Sequence, residues 1–167
     1  MEKKVSKLLT EQINKELYSS YLYLSFADYF EDAGLKGVAN WYLIQAHEEL
    51  DHAMKFRQYL LDNNCPVKLE AIEKPDKTFK THLEVLEAAL EHEEFITASI
   101  NDIYAAAQKA NDYRTTSFLQ WFIDEQMEEE VNARDLIDRM KVFGSDLTML
   151  YALDRDCAAR VYTPSAD

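Results

Sequence analysis

What most constrains this chain is how seldom its helical pattern is interrupted. Apolar residues recur at helical spacing through residues 3–33, 38–64, 82–110 and 113–143. The breaks between these runs are few. Gly34 and Gly37 in AGLKG mark a stop and a restart, Asn63-Asn64-Cys65-Pro66 ends the second run, and Asn111-Asp112 separates the third from the fourth. Gly144 closes the fourth run as a C-cap, after which Ser145 or Asp146 can cap a short fifth helix over 146–158. The tail 159–167 carries Pro164 and is expected to fray. With three Gly and three Pro among 167 residues, little else is available to break a helix.

Helices of this length reach roughly 40 Å at 1.5 Å per residue. Short loops join the first pair and the last pair, so each pair is an antiparallel hairpin. Residues 65–81 hold two of the three prolines and show no clear periodicity, and they are long enough to run the length of a bundle. The expectation is an all-α protein: one domain over 1–167, built as an antiparallel four-helix bundle (3–143) with one long crossover and a short fifth C-terminal helix.

Charge narrows the partners. Asp plus Glu number 31 against 18 Lys plus Arg, for a formal net charge of -13. Such a surface repels phosphate backbones and anionic lipid, so no nucleic acid and no membrane is expected, and cations are better suited. No apolar run approaches the roughly 20 residues of a membrane span. The segment MEKKVSKLLTEQ places charges where a signal peptide needs an apolar run. Cys65 and Cys157 have neither pairing context nor metal-ligand spacing and read as free thiols in a reducing, cytoplasmic setting.

Within this frame four glutamates stand where acids do not belong. At 100° per residue, Glu16 is flanked within about 40° by Leu9, Ile13, Ser20, Tyr23 and Ala27. Glu49 is in line with Val38, Tyr42, Phe56 and Leu60; Glu93 with Leu86, Ala89, Ile100 and Tyr104; Glu129 with Phe118, Phe122, Leu136 and Met140. Each long helix thus places one glutamate in the middle of its own apolar face. An unpaired buried carboxylate costs several kcal/mol, and four that converge repel one another. No Lys or Arg falls on these stripes near the acids, so divalent metal is the fitting counter-charge, two ions balancing four carboxylates. His52, one turn after Glu49 in AHEELDHAM, adds a single imidazole on the same face. Carboxylate oxygen with one imidazole and no thiolate suits Fe or Mn better than structural Zn, and a pair of ions sharing carboxylates suits redox chemistry with O₂.

The motifs NKELYSSYLYLS, QAHEELDHAMKF, LEHEEFITASI and FLQWFIDEQMEEE together resemble the non-haem ferritins of bacteria and archaea, over about residues 5–158. The resemblance implies a ferritin-like bundle that assembles as a 24-subunit hollow shell, oxidises Fe(II) with O₂ or H₂O₂ at a diiron ferroxidase centre, and stores ferric mineral. Carried over by position, it implies one iron held by Glu16, Glu49 and His52 and a second by Glu49, Glu93 and Glu129, with Glu49 bridging. A third iron toward the cavity would take Glu48, Glu125 and Glu128, with Glu129 shared. Gln126 matches a residue beside the second iron, and Tyr23 a tyrosine near the diiron centre that supplies an electron or a hydrogen bond. Trp121 can belong to the same redox neighbourhood.

Two departures sharpen this. The symmetric version of such sites carries Glu-x-x-His twice; here the fourth helix offers Gln126-x-x-Glu129, so the second iron should exchange more easily, which suits a store. Haem-binding relatives carry a Met just after the bridging glutamate; here that residue is Leu50, and no haem is expected. The rival reading is a diiron peroxidase or oxidase of the rubrerythrin type, although this chain has neither a Cys-rich segment nor a second Glu-x-x-His. Plainer readings remain for single residues. Glu48 and Glu128, about 100° off the central stripes, also read as solvated surface. Tyr23 and Trp121 also read as core packing. His47, His82 and His92 read as surface residues, and Glu94 as solvated. Leu147, Met149, Leu150 and Leu153 of the short fifth helix read as an oligomer contact, the helix being too small for the bundle to need it.

Overall fold

The computed structural model describes residues 1–164, so the end of the tail (165–167) lies outside the described residues. Among these residues there are five helices and no strand: α1 (Lys3–Asp32), α2 (Lys36–Asp62), α3 (His82–Lys109), α4 (Tyr113–Phe143) and α5 (Leu147–Ala158). The architecture is the expected ferritin-like four-helix bundle with a short C-terminal helix.

The helix ends have local causes. At the end of α1, Gly34 adopts φ +78°, which lets the Leu35 N–H turn back to the Phe30 carbonyl at 2.9 Å. Asn64 and Asn111 take the same left-handed conformation after α2 and α3, at φ 55° each. Side-chain caps start the later helices. Thr81 accepts from the Glu84 N–H, Asp112 from Thr115, and Asp146 from both Thr148 and Met149. Of the two candidates for the α5 cap, the structure therefore uses Asp146.

The 63–81 connection tracks along α1. Val67 packs with the apolar cluster that contains Val5 and Leu9, the Asn14 amide donates to the carbonyls of Glu70 and Ala71, and Phe79 meets Phe26 and Tyr29 edge-on. This passage carries the chain from one end of the bundle to the other, so α3 starts beside the C-terminal end of α1.

The core is split in two. One apolar cluster gathers Tyr23, Phe26, Phe30, Val38, Leu86, Leu136 and Met140; the other gathers Leu9, Ile13, Phe56, Leu60, Ile100 and Phe122. Between them in sequence, on all four long helices, fall the buried polar residues Glu16, Glu49, Glu93 and Glu129. The two clusters fix the depth of this polar layer, because each helix is anchored apolar on both sides of its acid.

The short fifth helix departs from expectation. Leu153 and Cys157 are buried and Leu150 packs against the Tyr23 cluster. Asp154 accepts from the backbone N–H of Val38 at 2.9 Å, and Arg139 pairs with Asp156 at 2.9 Å. Gly37 lies inside α2, not in a break, and its place there is one only glycine can take, since a Cβ would sit 1.7 Å from the Asp154 carbonyl oxygen. The helix therefore docks on its own bundle through Leu150 and Leu153, while Leu147, Met149 and Tyr151 remain exposed. The tail is also tied down as far as Tyr162, whose hydroxyl donates to Asp51 at 2.7 Å. Both cysteines are free thiols, and among the described residues no helix is long and apolar enough to cross a membrane.

Candidate metal centre

The four glutamates predicted to face inward are all buried, Glu16 and Glu49 at 1% exposure. Ligand atoms of Glu16, Glu49 and His52 lie within 4.8 Å of one another, close enough to share one ion. His52 Nδ1 is 3.4 Å from Glu49 Oε2. Its other nitrogen, Nε2, is 4.0 Å from Glu125, so Glu125 borders the same imidazole from α4.

Each acid is also oriented by neighbours. Gln12 donates to Glu16 at 2.7 Å, and Gln45 donates to Glu129 at 2.8 Å. Tyr23 donates to one oxygen of Glu93 and Gln126 to the other, the latter at 3.0 Å. Ser99 in turn donates to the side-chain amide oxygen of Gln12 at 2.6 Å and accepts from Lys15. These contacts fix where the carboxylates point yet leave Glu16 Oε2 and Glu49 Oε1 buried without a partner. Unpaired buried acceptors of this kind are costly, and an incoming cation would satisfy them.

The electrostatics agree with the geometry. Burial pushes the Glu16 and Glu49 carboxyls well above the usual range; Glu49 raises Glu16 further, and Glu93 and Glu129 raise Glu49. Burial lifts Glu93 as well, opposed by the hydrogen bonds from Tyr23 and Gln126. Glu129 is pushed up to about 8 by burial and by the charge of Glu93. Among the described residues no Lys or Arg pairs with any of the four, and the polar layer is short of positive charge. Divalent cations would supply it, releasing the protons that the acids otherwise retain.

The outer acids separate. Glu125 is half-buried beside His52, whereas Glu128 is exposed on the helix surface. Glu48 is half-buried and paired with Arg160 at 2.6 Å. Trp121 is not a core residue: it is 37% exposed, with its ring edge-on to His52 at 5.5 Å and Lys55 over its face at 5.0 Å. His47 is exposed, as expected, and His82 is partly buried, with Tyr29 at 3.2 Å. His92 is not a surface residue. It contacts the Ser19 hydroxyl at 2.7 Å and packs against Tyr18 and Tyr23, and burial lowers its pKa to about 4.

Sequence reasoning passed over Gln12 and Gln45. The signal was present, since each lies four residues before a central acid and so on the same stripe. Arg160 carried no such signal, because its partner is 112 residues away.

A four-helix bundle with one acid per helix converging on a buried layer is the class of fold whose core carboxylates can hold metal. The ferritin-like domain matches residues 6–143. A bacterial non-heme ferritin of Campylobacter jejuni is 41% identical, with 93% of each chain covered, and one of Staphylococcus haemolyticus is 35% identical, over 97% of this chain and 98% of that protein. An Archaeoglobus fulgidus ferritin engineered into a closed form superposes with a TM-score of 0.95 at 39% identity, covering 98% of this chain and 99% of that one. The chain belongs to the ferritin family.

Proposed function

We propose that this chain is an iron-storage subunit and a ferroxidase. In this reading the whole of 1–167 serves as one ferritin-like diiron domain. Fe(II) is the substrate. Glu16, Glu49 and His52 hold one iron and Glu49, Glu93 and Glu129 the other, with Glu49 between them. The observation that carries this reading is the buried layer of four glutamates with no Lys or Arg among its partners and with orphaned oxygens on Glu16 and Glu49.

Two Fe(II) ions give up one electron each. Transferred to O₂ with two protons, the pair of electrons yields H₂O₂; transferred to H₂O₂ with two protons, it yields two waters. Hard carboxylate oxygens favour the Fe(III) product over Fe(II), which drives the step. Tyr23 and Gln126, both bonded to Glu93, are positioned to hold the second iron's carboxylate still as its charge rises. Gln126 replaces a charged ligand with a neutral amide, leaving the second iron more weakly bound and free to move on. Glu48, Glu125 and Glu128 then offer a third position on the way to the storage cavity.

We further read the assembly as a homo-oligomeric 24-subunit cage in the cytoplasm, with no haem. The test combines size with chemistry. Addition of Fe(II) in air should give a rapid rise in ferric absorbance from a particle of several hundred kilodaltons, built from a 19.5-kDa chain. A small oligomer that oxidises iron without retaining it would instead favour a peroxidase or oxidase without storage.

A further inference from the structure

The C-terminal segment returns to α2 and fastens there at several points. The Arg160 guanidinium donates to Glu48 Oε2 at 2.6 Å, lies over the Trp41 ring at 4.2 Å, and donates to the Trp41 carbonyl at 3.3 Å. The Asn40 amide donates to the Arg160 carbonyl at 3.1 Å. Tyr162 bonds Asp51 and packs against His47, their ring centroids 5.4 Å apart. The ion pair is largely shielded, with side-chain exposures of 18% for Arg160 and 22% for Glu48.

Glu48 is one residue from the bridging Glu49, and its carboxyl senses both His52 and Glu125. A divalent ion on Glu48 would meet a guanidinium already on the same carboxylate. Two cations at such range repel strongly in a shielded setting, so they exclude one another. Glu48 is therefore not an open ligand.

We propose that Arg160 is a tethered competitor for the outer cation position at Glu48, so that filling this position displaces Arg160 from Glu48 and loosens the C-terminal segment from α2. The proposal rests on the third-iron reading given above. It assigns the chain's own C-terminal segment a role in setting when that position fills. With Arg160 in place, the inner pair of ions binds first; the outer ion binds only at a concentration that overcomes the ion pair and the stacking on Trp41. The two contacts together correspond to about a tenfold weakening of the outer position.

Zn(II) provides the test, since it binds carboxylates without redox change or paramagnetic quenching. The full-length protein carries two tryptophans, and a Trp121→Phe background leaves Trp41 as the reporter. Anaerobic titration should show two tight equivalents and a weaker third, with the Trp41 emission change confined to the third. In Arg160→Ala and Arg160→Gln the third equivalent should bind about tenfold more tightly, and its Trp41 response should vanish. The first two affinities should not move, whereas simple loss of a positive charge would tighten all three. Tyr162→Phe, which keeps Arg160, should give an intermediate shift. A third equivalent of unchanged or weaker affinity in the Arg160 variants overturns the competition and leaves the third-site reading intact. Absence of any third equivalent, in wild type and variants alike, overturns both.

Discussion

Replacing Glu49 and His52 together by alanine should remove the fast phase of aerobic Fe(II) oxidation expected of the proposed ferroxidase, slowing oxidation by at least about 100-fold. Loss of a residue that only supports a metal ligand commonly costs 10–100-fold, and in the proposed site two ligands would go, one of them shared by both ions. Glu49 is the residue on which the layer converges. It lies within reach of Glu16 and His52 on one side, and it senses the charges of Glu93 and Glu129 on the other. The isosteric variant Glu49→Gln separates lost iron ligation from unfolding. Without metal, Glu49 Oε1 is a buried acceptor with no partner. A neutral amide removes the charge that burial penalises, so the metal-free Glu49→Gln protein should melt no lower than wild type at pH 8 while losing oxidation. Ferric absorbance and a thermal melt on the same preparation check both halves; an unchanged fast phase in the double variant would sink the assignment.

The second large effect is an inverted pH dependence of stability that metal reverses. In the metal-free protein Glu16, Glu49, Glu93 and Glu129 all have raised pKa values, chiefly from burial, with Glu129 at about 8. Unfolded, they would titrate near the ordinary value of 4.5. A raised acid means that the folded chain retains protons that the unfolded chain has lost. Its stabilising contribution is present at low pH and disappears as the pH rises through the folded value. His92 runs the other way. Its pKa, lowered to about 4, costs stability only below its ordinary value of 6.5. Between about pH 6.5 and 8 the raised acids therefore act without an opposing contribution from His92. Metal-free stability should fall there by up to about 1.4 kcal/mol per pH unit for each retained proton. Zn(II) or anaerobic Fe(II) should flatten or reverse that slope, since binding requires the deprotonated acids. Melting temperatures across this range, with and without metal, decide the matter; a metal-free protein that becomes more stable from pH 6.5 to 8 would contradict it.

The parts legible in the sequence are those governed by local periodicity. The observed helices begin and end close to the breaks at Gly34, Asn63-Asn64, Asn111-Asp112 and Gly144, because caps and left-handed turn residues act within a few positions. The burial of Glu16, Glu49, Glu93 and Glu129 was readable for the same reason, since a stripe at 100° per residue needs no knowledge of its partner helix. Contacts between distant segments left no such trace. The docking of Leu153 and Cys157, the Gly37 approach to Asp154 and the Arg160–Glu48 pair depend on where the chain returns after α4. The half-buried setting of His92 is of the same kind, since it comes from Tyr18 and Tyr23 of the neighbouring helix. Trp121 erred in the other direction, an aromatic residue left partly exposed beside His52.

A crystal soaked anaerobically in Fe(II), with anomalous scattering recorded on both sides of the iron edge, would locate the bound ions. Two iron peaks should appear inside each bundle, roughly 3.5–4 Å apart as in other two-metal sites. One should lie on Glu16 and His52, the other on Glu93 and Glu129, with Glu49 touching both. Iron confined to surface carboxylates, with the buried layer empty, would rule out a diiron centre in the bundle.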